Sequence, residues 1–339
     1  MKGLTVRPFE ATDTAAAATL LAARHKTARK RLPMLSKALE APRGWEPLVK
    51  GVLGPRSHGV AAHRDGKLVG FLIGEDSLFG PTEMASLWFP PHSISVDNAG
   101  HAVAPGEDLT GVYRTLYAHL AERWVARGFF IHRIEVTAGD ADVQEAWVSL
   151  GFGRHITAAV RDTGPVANAR AGLIDIREAT TEDIDVVMRL VDTLNRHHAT
   201  SPMFWPMLPE TDEAAKQFNL SGIAGTTNAY FIAYLRGQPA ALQSFLAPGF
   251  TPQIVEPEKT IYLFDGVVDE AARDGGVGSS LLEHSMRHLR EHGYERCCLH
   301  FASGNPSGAP FWLGQGFVPV QHTMLRHVDE RIAWANHTA

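Results

Sequence analysis

The chain repeats itself. Residues 128–152, GFFIHRIEVTAGDADVQEAWVSLGF, align with residues 293–317, GYERCCLHFASGNPSGAPFWLGQGF, at a constant offset of 165. Gly128 falls on Gly293, Gly139 on Gly304, Trp147 on Trp312, and Gly151-Phe152 on Gly316-Phe317. LYAHLAERW (116–124) meets LLEHSMRHL (281–289) at the same offset, with His119 opposite His284. The starts correspond at an offset of 170: LTVRPFEATD (4–13) resembles IDIREATTED (174–183), with Arg7 on Arg177 and Asp13 on Asp183. Whatever one half folds into, the other must fold into as well. A period this long means tandem domains, which suits a 339-residue chain at roughly 100–200 residues per domain. DTGPVANARAG (162–172) is small, polar and broken by Gly and Pro, as a connection should be. The expected domains are 1–163 and 173–339, joined by 164–172.

Each half reads alike. A short strand (4–7; 174–177) is followed by a helix opened by an Asp/Thr cap. In TEDIDVVMRLVDTL (181–194) the apolar residues 184, 187, 190, 191 and 194 keep helical spacing. Hairpins follow, turning at Asp65-Gly66 in 59–74 and at Gly237 in 229–247. A further strand leads to a turn and a helix, and strand, short helix and strand close each half. The order β-α-(α)-β-β-β-α-β-α-β is a mixed α/β fold.

Charge excludes some functions. The net charge is −5, so no global basic field recruits nucleic acid or an anionic membrane. No apolar run reaches about 18 residues, so no membrane span is expected. The start, MKGLTVRPFEATDT, has no signal core. Cys297 and Cys298 are adjacent, and strand neighbours point to opposite faces, a poor geometry for a disulfide. A reducing, cytoplasmic setting is expected.

The densest chemical signal is DEAARDGGVGSSLLEHSMRHL (269–289). Gly275, Gly276 and Gly278 stand within four residues, with Arg273 ahead of them. IYLFDGVV (261–268) reads as a buried strand before the turn, and the helix after it keeps 281, 282, 286 and 289 on one face. Strand, glycine turn and helix suit anion binding, because free amides converge where the helix dipole favours negative charge. Glycines let the backbone approach a phosphate closely, and Arg273 can add a charge-assisted bond. A plain glycine-rich connection is the competing reading. No Gly-Lys-Ser/Thr ending follows, so a nucleotide P-loop is not indicated, nor is there a dinucleotide fingerprint.

Arg273-x-x-Gly276-x-Gly278 resembles the acyl-CoA pyrophosphate loop of the GNAT N-acetyltransferase superfamily. Val267 and Val268 then stand where the family's splayed fourth strand pairs with the acyl and pantetheine part of the cofactor. Asn305, before SGAPFWLGQGF, resembles the second cofactor segment. The layout is similar to tandem GNAT proteins, mycothiol synthase among them. The resemblance implies two tandem domains, each a mostly antiparallel sheet with a splayed fourth/fifth strand pair flanked by helices. It implies a cofactor site of Val267, Val268, Arg273, Asp274, Gly275, Gly276, Val277, Gly278, Ser279, Asn305 and Trp312. It further implies acetyl-CoA or another acyl-CoA as co-substrate, with no metal, and direct transfer to an amine. Two departures matter. The slot that often holds a proton-donating Tyr holds Trp312 here, and Trp147 in the first half. In the first half EDLTGVYRTL replaces RDGGVGSSLL, so Asp108 stands for Arg273 and Tyr113 for Gly278. An acid and a bulky ring make a poor phosphate cradle, so the first copy is expected to be degenerate and to shape the substrate cleft.

For the chemistry, the Val268 amide is the oxyanion donor the resemblance implies. Candidate bases are Asp265 and Tyr262, which strict strand alternation sets on opposite faces. His300 and Ser303 lie on or after the next strand. A buried structural carboxylate competes with a base at Asp265. A non-catalytic acyl-CoA-binding or regulatory protein is the alternative function, and a purely structural interaction module is a third. His284, His288 and His292 recur at metal-ligand spacing, but the expected reading is a solvated histidine face. RHKTARKRL (24–32) is likewise expected to be a solvated helix face. NRHHATSPMFWPMLPE (195–210) is either a substrate contact or an apolar plug between the halves. A small-molecule amine is the expected partner; acceptor identity, acyl length and oligomeric state stay open.

Overall fold

A computed structural model describes residues 3–170, 172, 174–246 and 250–335. In the first half the elements are β1 (Leu4–Pro8), α1 (Thr14–Arg29), α2 (Pro42–Gly51), β2 (Ser57–Arg64), β3 (Lys67–Leu78), β4 (His92–Val96), β5 (His101–Val103), α3 (Leu109–Ala126), β6 (Ile131–Thr137), α4 (Ala141–Val148) and β7 (Gly153–Asp162). In the second half they are β8 (Asp175–Glu178), α5 (Ile184–Ala199), α6 (Asp212–Ala224), β9 (Ala229–Leu235), β10 (Gln238–Leu246), β11 (Thr260–Val268), α7 (Val277–Glu291), β12 (Arg296–Ala302), α8 (Gly308–Gly314) and β13 (Val318–His327). The element order repeats, β4 with β5 taking the place of β11.

Local chemistry explains the repetition. Each half opens on the same clamp: Arg7 donates to both carboxylate oxygens of Asp13 (2.8 and 2.7 Å), and Arg177 to both of Asp183 (2.7 and 2.5 Å). Each Asp also closes a capping box ahead of its helix. Both hairpins turn on two residues of positive φ, Asp65-Gly66 (49° and 75°) and Arg236-Gly237 (53° and 77°), the turn that matches strand twist. Alternation along β3 and β10 sends residues to both faces. Phe71 and Ile73 pack under α1 and α2, and Leu72 under α3. Phe245 packs under α7, and Leu242 and Leu246 under α5.

The halves share one sheet, in the order β1-β2-β3-β4-β6-β13-β7-β12-β11-β10-β9-β8, with β5 folding back on β3. The last strands are exchanged. β7 lies antiparallel to β12 (Ile156↔Ala302), and β13 lies antiparallel to β6 (Thr323↔Glu135). β7 and β13 also pair with each other at the centre. The 164–172 segment therefore joins two sequence repeats within one sheet. Each half also has one parallel pair, and in the second half it parts. β11 pairs with β12 only over Thr260–Tyr262, although it runs on to Val268. β4 pairs with β6 over Ser93–Val96.

Candidate active site

The glycine turn is built as a helix start without a side-chain cap. α7 begins at Val277, its N-cap is Gly276 at φ 89°, and no side chain caps it. That φ is costly for any residue with a Cβ. Asp274 is also left-handed, at φ 62°. The first i→i−4 bond runs from the Ser280 amide to the Gly276 carbonyl (3.0 Å). The amides of Val277, Gly278 and Ser279 precede it and converge at the positive end of the dipole. Gly278 lies between Phe311 and Val268, each 3.3 Å from where a Cβ would stand. Arg273 Nε donates to the Val268 carbonyl (3.2 Å), which ties the arginine to the strand end.

β11 opens its edge towards the gap. Ala241 faces Val268, yet the bond beside them runs from the Asp269 amide to the Ala240 carbonyl (2.8 Å). Ala241 and Val268 are thus a non-hydrogen-bonded pair, and the Val268 amide points away from β10. Gly266, two residues earlier, points the same way. β12 has already diverged there, so both amides face the gap that an acyl-pantetheine arm would need.

A bulge corrects the expectation for Tyr262 and Asp265. The register passes from Gln243↔Gly266 to Phe245↔Leu263, which leaves one extra residue in β11. The bulge resets the alternation, so Tyr262, Phe264 and Val267 all pack on the α5 side. Asp265 turns to that same side, where it accepts from the Ser244 hydroxyl (3.1 Å). Burial pushes the Asp265 carboxyl up to about 6, against the Ser244 bond, which lowers it. Tyr262 bonds His300 Nδ1 (3.0 Å); burial drives the His300 imidazole down to about 4 and the Tyr262 phenol upward. A carboxylate near 6 can take a proton at neutral pH; a raised phenol cannot.

Tyr262, Asp265 and His300 line one cavity of about 910 Å³, which also takes in Val267, Val268, Arg273, Asp274, Gly276, Val277, Gly278, Ser279, Asn305 and Trp312. Of the expected cofactor residues, Gly275 is not on its wall. Asn305 caps α8, its Oδ1 accepting from the amides of Ser307 (3.1 Å) and Gly308 (2.8 Å), and it also meets His197 Nε2 (3.2 Å). Trp312 stacks edge-on to Phe317 and closes over Gly266, where a Cβ would stand 2.7 Å from the indole. Gln315 donates to the Ser279 hydroxyl (3.1 Å). From the 195–210 segment, Trp205 lines the cavity between His198 and His155 of β7, while Phe204 is 71% exposed.

The matching place in the first half is filled. α3 begins at Leu109, three residues earlier in the repeat than α7, and both helices end in register at 126 and 291. The glycine turn has become a helical turn, and Asp108 caps it by accepting from the Gly111 amide (3.0 Å). A carboxylate thus occupies the helix end. Tyr113, in the position of Gly278, is fully buried; its ring packs on Trp147 and its hydroxyl bonds His101 (2.9 Å). Arg24 donates to the carbonyls of His101 (2.8 Å) and Asn98 (2.9 Å), along the strand edge equivalent to the open edge of β11.

Two other expectations are corrected. The basic run turns partly inward, because Arg24 bonds the strand and His25 is 3% exposed with Nε2 on the Ser36 carbonyl (2.8 Å). His284 and His288 are half-buried edge-on against Phe231, and burial lowers both imidazoles, so the histidine face is not fully solvated. No metal-holding group occurs among the described residues. No described helix is long and apolar enough to cross a membrane.

Sequence reasoning missed Arg170, Asp97 and Glu135. Arg170 lies over Gly276, its amide donating to the Ser280 hydroxyl (3.0 Å); only the fold brings this linker residue to the turn. Asp97 and Glu135 line the far wall of the cavity. The repeat could have flagged them, since at the offset of 165 they replace Tyr262 and His300.

Residues 192–317 match the model of the Acetyltransferase (GNAT) family. A comparison with curated proteins returns no match. Among solved structures, a GCN5-related N-acetyltransferase from Sphaerobacter thermophilus aligns at TM-score 0.60 and 13% identity, covering 96% of this chain and 95% of that one. A tandem GNAT protein from the clavulanic acid biosynthesis pathway aligns at 0.50 and 17%, covering 95% and 97%. A GCN5-related glucosamine N-acetyltransferase region of a fungal multi-domain GH3 β-N-acetylglucosaminidase aligns at 0.54 and 12%, covering 95% of this chain and 38% of that one. The mixed-sheet tandem fold is thus shared, and residues 192–317 of the second half are similar to the GNAT acetyltransferase family.

Proposed function

We propose that this chain, whose second half is similar to the GNAT acetyltransferase family, transfers an acyl group from acyl-CoA, with acetyl-CoA the first to test, directly to a small-molecule amine. The site belongs to residues 173–339, and the first copy, 1–163, binds no cofactor and shapes the acceptor cleft. One observation carries this reading. The second half presents an uncapped helix start beside an open strand edge, and the first half has both filled by its own side chains.

The cofactor supplies an activated thioester. The amides of Val277, Gly278 and Ser279, with Arg273, would hold its pyrophosphate. The outward amides of Gly266 and Val268 would hold the arm, and Val268 would donate to the oxyanion. Asp265 takes the amine's proton, directly or through a water. Trp312 cannot donate a proton, but a thiol of ordinary pKa near 8.5 leaves readily as its anion.

Calorimetric titration with acetyl-CoA tests the proposal. One site per chain, lost in Gly278→Tyr, is expected. Two sites would overturn the reading of the first half, and no binding would remove the enzyme reading. Trp312 also favours a second reading, an acyl-CoA-binding protein without catalysis. Tight binding with no turnover over a panel of amines would select it.

A further inference from the structure

The cavity extends past the transfer site into the first half. Its far floor is a row across exchanged strands. Glu135 on β6 faces Thr323 on β13, Thr323 faces Ile156 on β7, and Ile156 faces Ala302 on β12. Ser95 and Asp97 close the row beside β6. The polar groups here are poorly satisfied from within the protein. No described residue donates to the Asp97 carboxylate, and among the described residues the Glu135 carboxylate accepts only from Asn98, twice at 3.4 Å. Gln321 is 3% exposed; its Oε1 takes the Asn98 amide (2.6 Å), while its Nε2 has no partner among the described residues. Arg133 is 6% exposed; it donates to Ser77 (3.0 Å) and lies over Phe89 (4.3 Å), but its buried Nε is unpartnered. Buried polar groups left unmade are costly. Here they face a space large enough to hold a ligand.

The charges do not balance. Two carboxylates meet one guanidinium, and the nearby Glu75 is already paired with Arg56 (3.4 Å). Burial and the charge of Asp97 push the Glu135 carboxyl upward. Asp97 is raised as well, by burial and then by Glu75. One added cation would let both carboxylates stay ionised beside Arg133. The walls between this floor and β11 are aromatic: Trp88, Phe89, Trp205 and Phe264. Such walls suit an apolar spacer and an ammonium group.

We propose that Asp97 and Glu135 form a subsite for a second ammonium group of the acceptor, which is an extended diamine or polyamine with an apolar spacer. This deepens the acyltransferase reading and rests on it. The row fixes the span. Three interstrand steps of about 4.8 Å put Glu135 roughly 14 Å from the edge of β12. The carboxylates therefore hold the end of the acceptor that does not react, while Asp265 serves the end that does.

The test titrates the full chain with four probes: decylamine, decamethylenediamine, butylamine and tetramethylenediamine. Decamethylenediamine should bind at least about tenfold more tightly than decylamine. Tetramethylenediamine, too short to span, should gain little over butylamine. The isosteric double variant Asp97→Asn/Glu135→Gln should lose the diamine preference and still bind acetyl-CoA as the wild type does. Equal affinity for decylamine and its diamine, no binding of either diamine, or a preference that survives the double substitution would overturn the subsite. Loss of acetyl-CoA binding in the wild type would instead count against the acyltransferase reading alone, because the amine titrations do not depend on it.

Discussion

The first turn of α3 and the turn before α7 begin from the same repeat and end in opposite states. At α7 the chain holds Gly276 in the left-handed region, leaves three amides of the first turn without an intrahelical partner and turns the edge of β11 towards an open gap. At α3 the same residues wind one turn further, and the vacated places are taken by Asp108 on the Gly111 amide, Tyr113 against Trp147 and Arg24 on the strand carbonyls. A carboxylate, a phenol ring and a guanidinium stand where anion, arm and strand contact would be. On the proposed reading, the contrast shows how a binding site can be removed without changing the fold, by satisfying internally each group that a ligand would satisfy.

The sharpest way to break this contrast is to plug the second half. Gly278→Tyr should weaken acetyl-CoA binding by about a hundredfold or more, since a ring must enter a space bounded by Phe311 and Val268 at 3.3 Å. The reverse change should not create a site. Tyr113→Gly is expected to cost about 3–5 kcal/mol of stability, read by urea unfolding, with the acetyl-CoA stoichiometry still one, because Asp108 and Arg24 remain.

Asp265→Asn separates chemistry from binding. It should lower kcat by about 10²–10⁴-fold with little change in cofactor affinity. Wild-type activity should rise with pH through about 6 as Asp265 ionises, and the variant should lose that limb. The stability effect has the opposite sign. The folded carboxyl is raised above its unfolded value, so folding favours the protonated form, and stability falls as pH rises between about 4 and about 6. The Asn variant should therefore be the more stable protein at pH 7, by an amount on the order of 2 kcal/mol. A variant less stable than wild type at pH 7 would count against a buried, raised Asp265.

Smaller effects come from the two residues at aligned positions. Arg273→Ala should weaken acetyl-CoA binding about tenfold and barely alter stability. Asp108→Ala should lower stability by about 1 kcal/mol, the worth of a cap, and leave acetyl-CoA binding unchanged. Equal effects of both on the cofactor would erase the distinction between the halves.

Much of this is legible in the sequence alone. Repeated pairs such as Arg7/Arg177 and Asp13/Asp183 are local clamps, formed within six residues, so spacing alone reveals them. The hairpin turns and α7 follow from similarly short-range rules. What stayed hidden is non-local or breaks periodicity. The bulge beside Asp265 adds one residue with no compositional mark. Arg24 acts on carbonyls 74 and 77 residues away, and Asp97 and Glu135 come together only because strands from both halves build one floor.

The exchanged strands carry a consequence for how the molecule is made. During synthesis the first half emerges with the edge of β6 bare, because the strand that covers it, Val318–His327, is built only after β8 to β12. The second half is in the opposite position: β7 waits, already synthesised, for β12. Vectorial folding therefore cannot finish one half and then the other. The open edge of β6 is a hazard for misassembly with other chains until β13 has emerged. The same late strand brings Gln321 and Thr323 into the cavity floor, so closing the sheet and completing the pocket are one event.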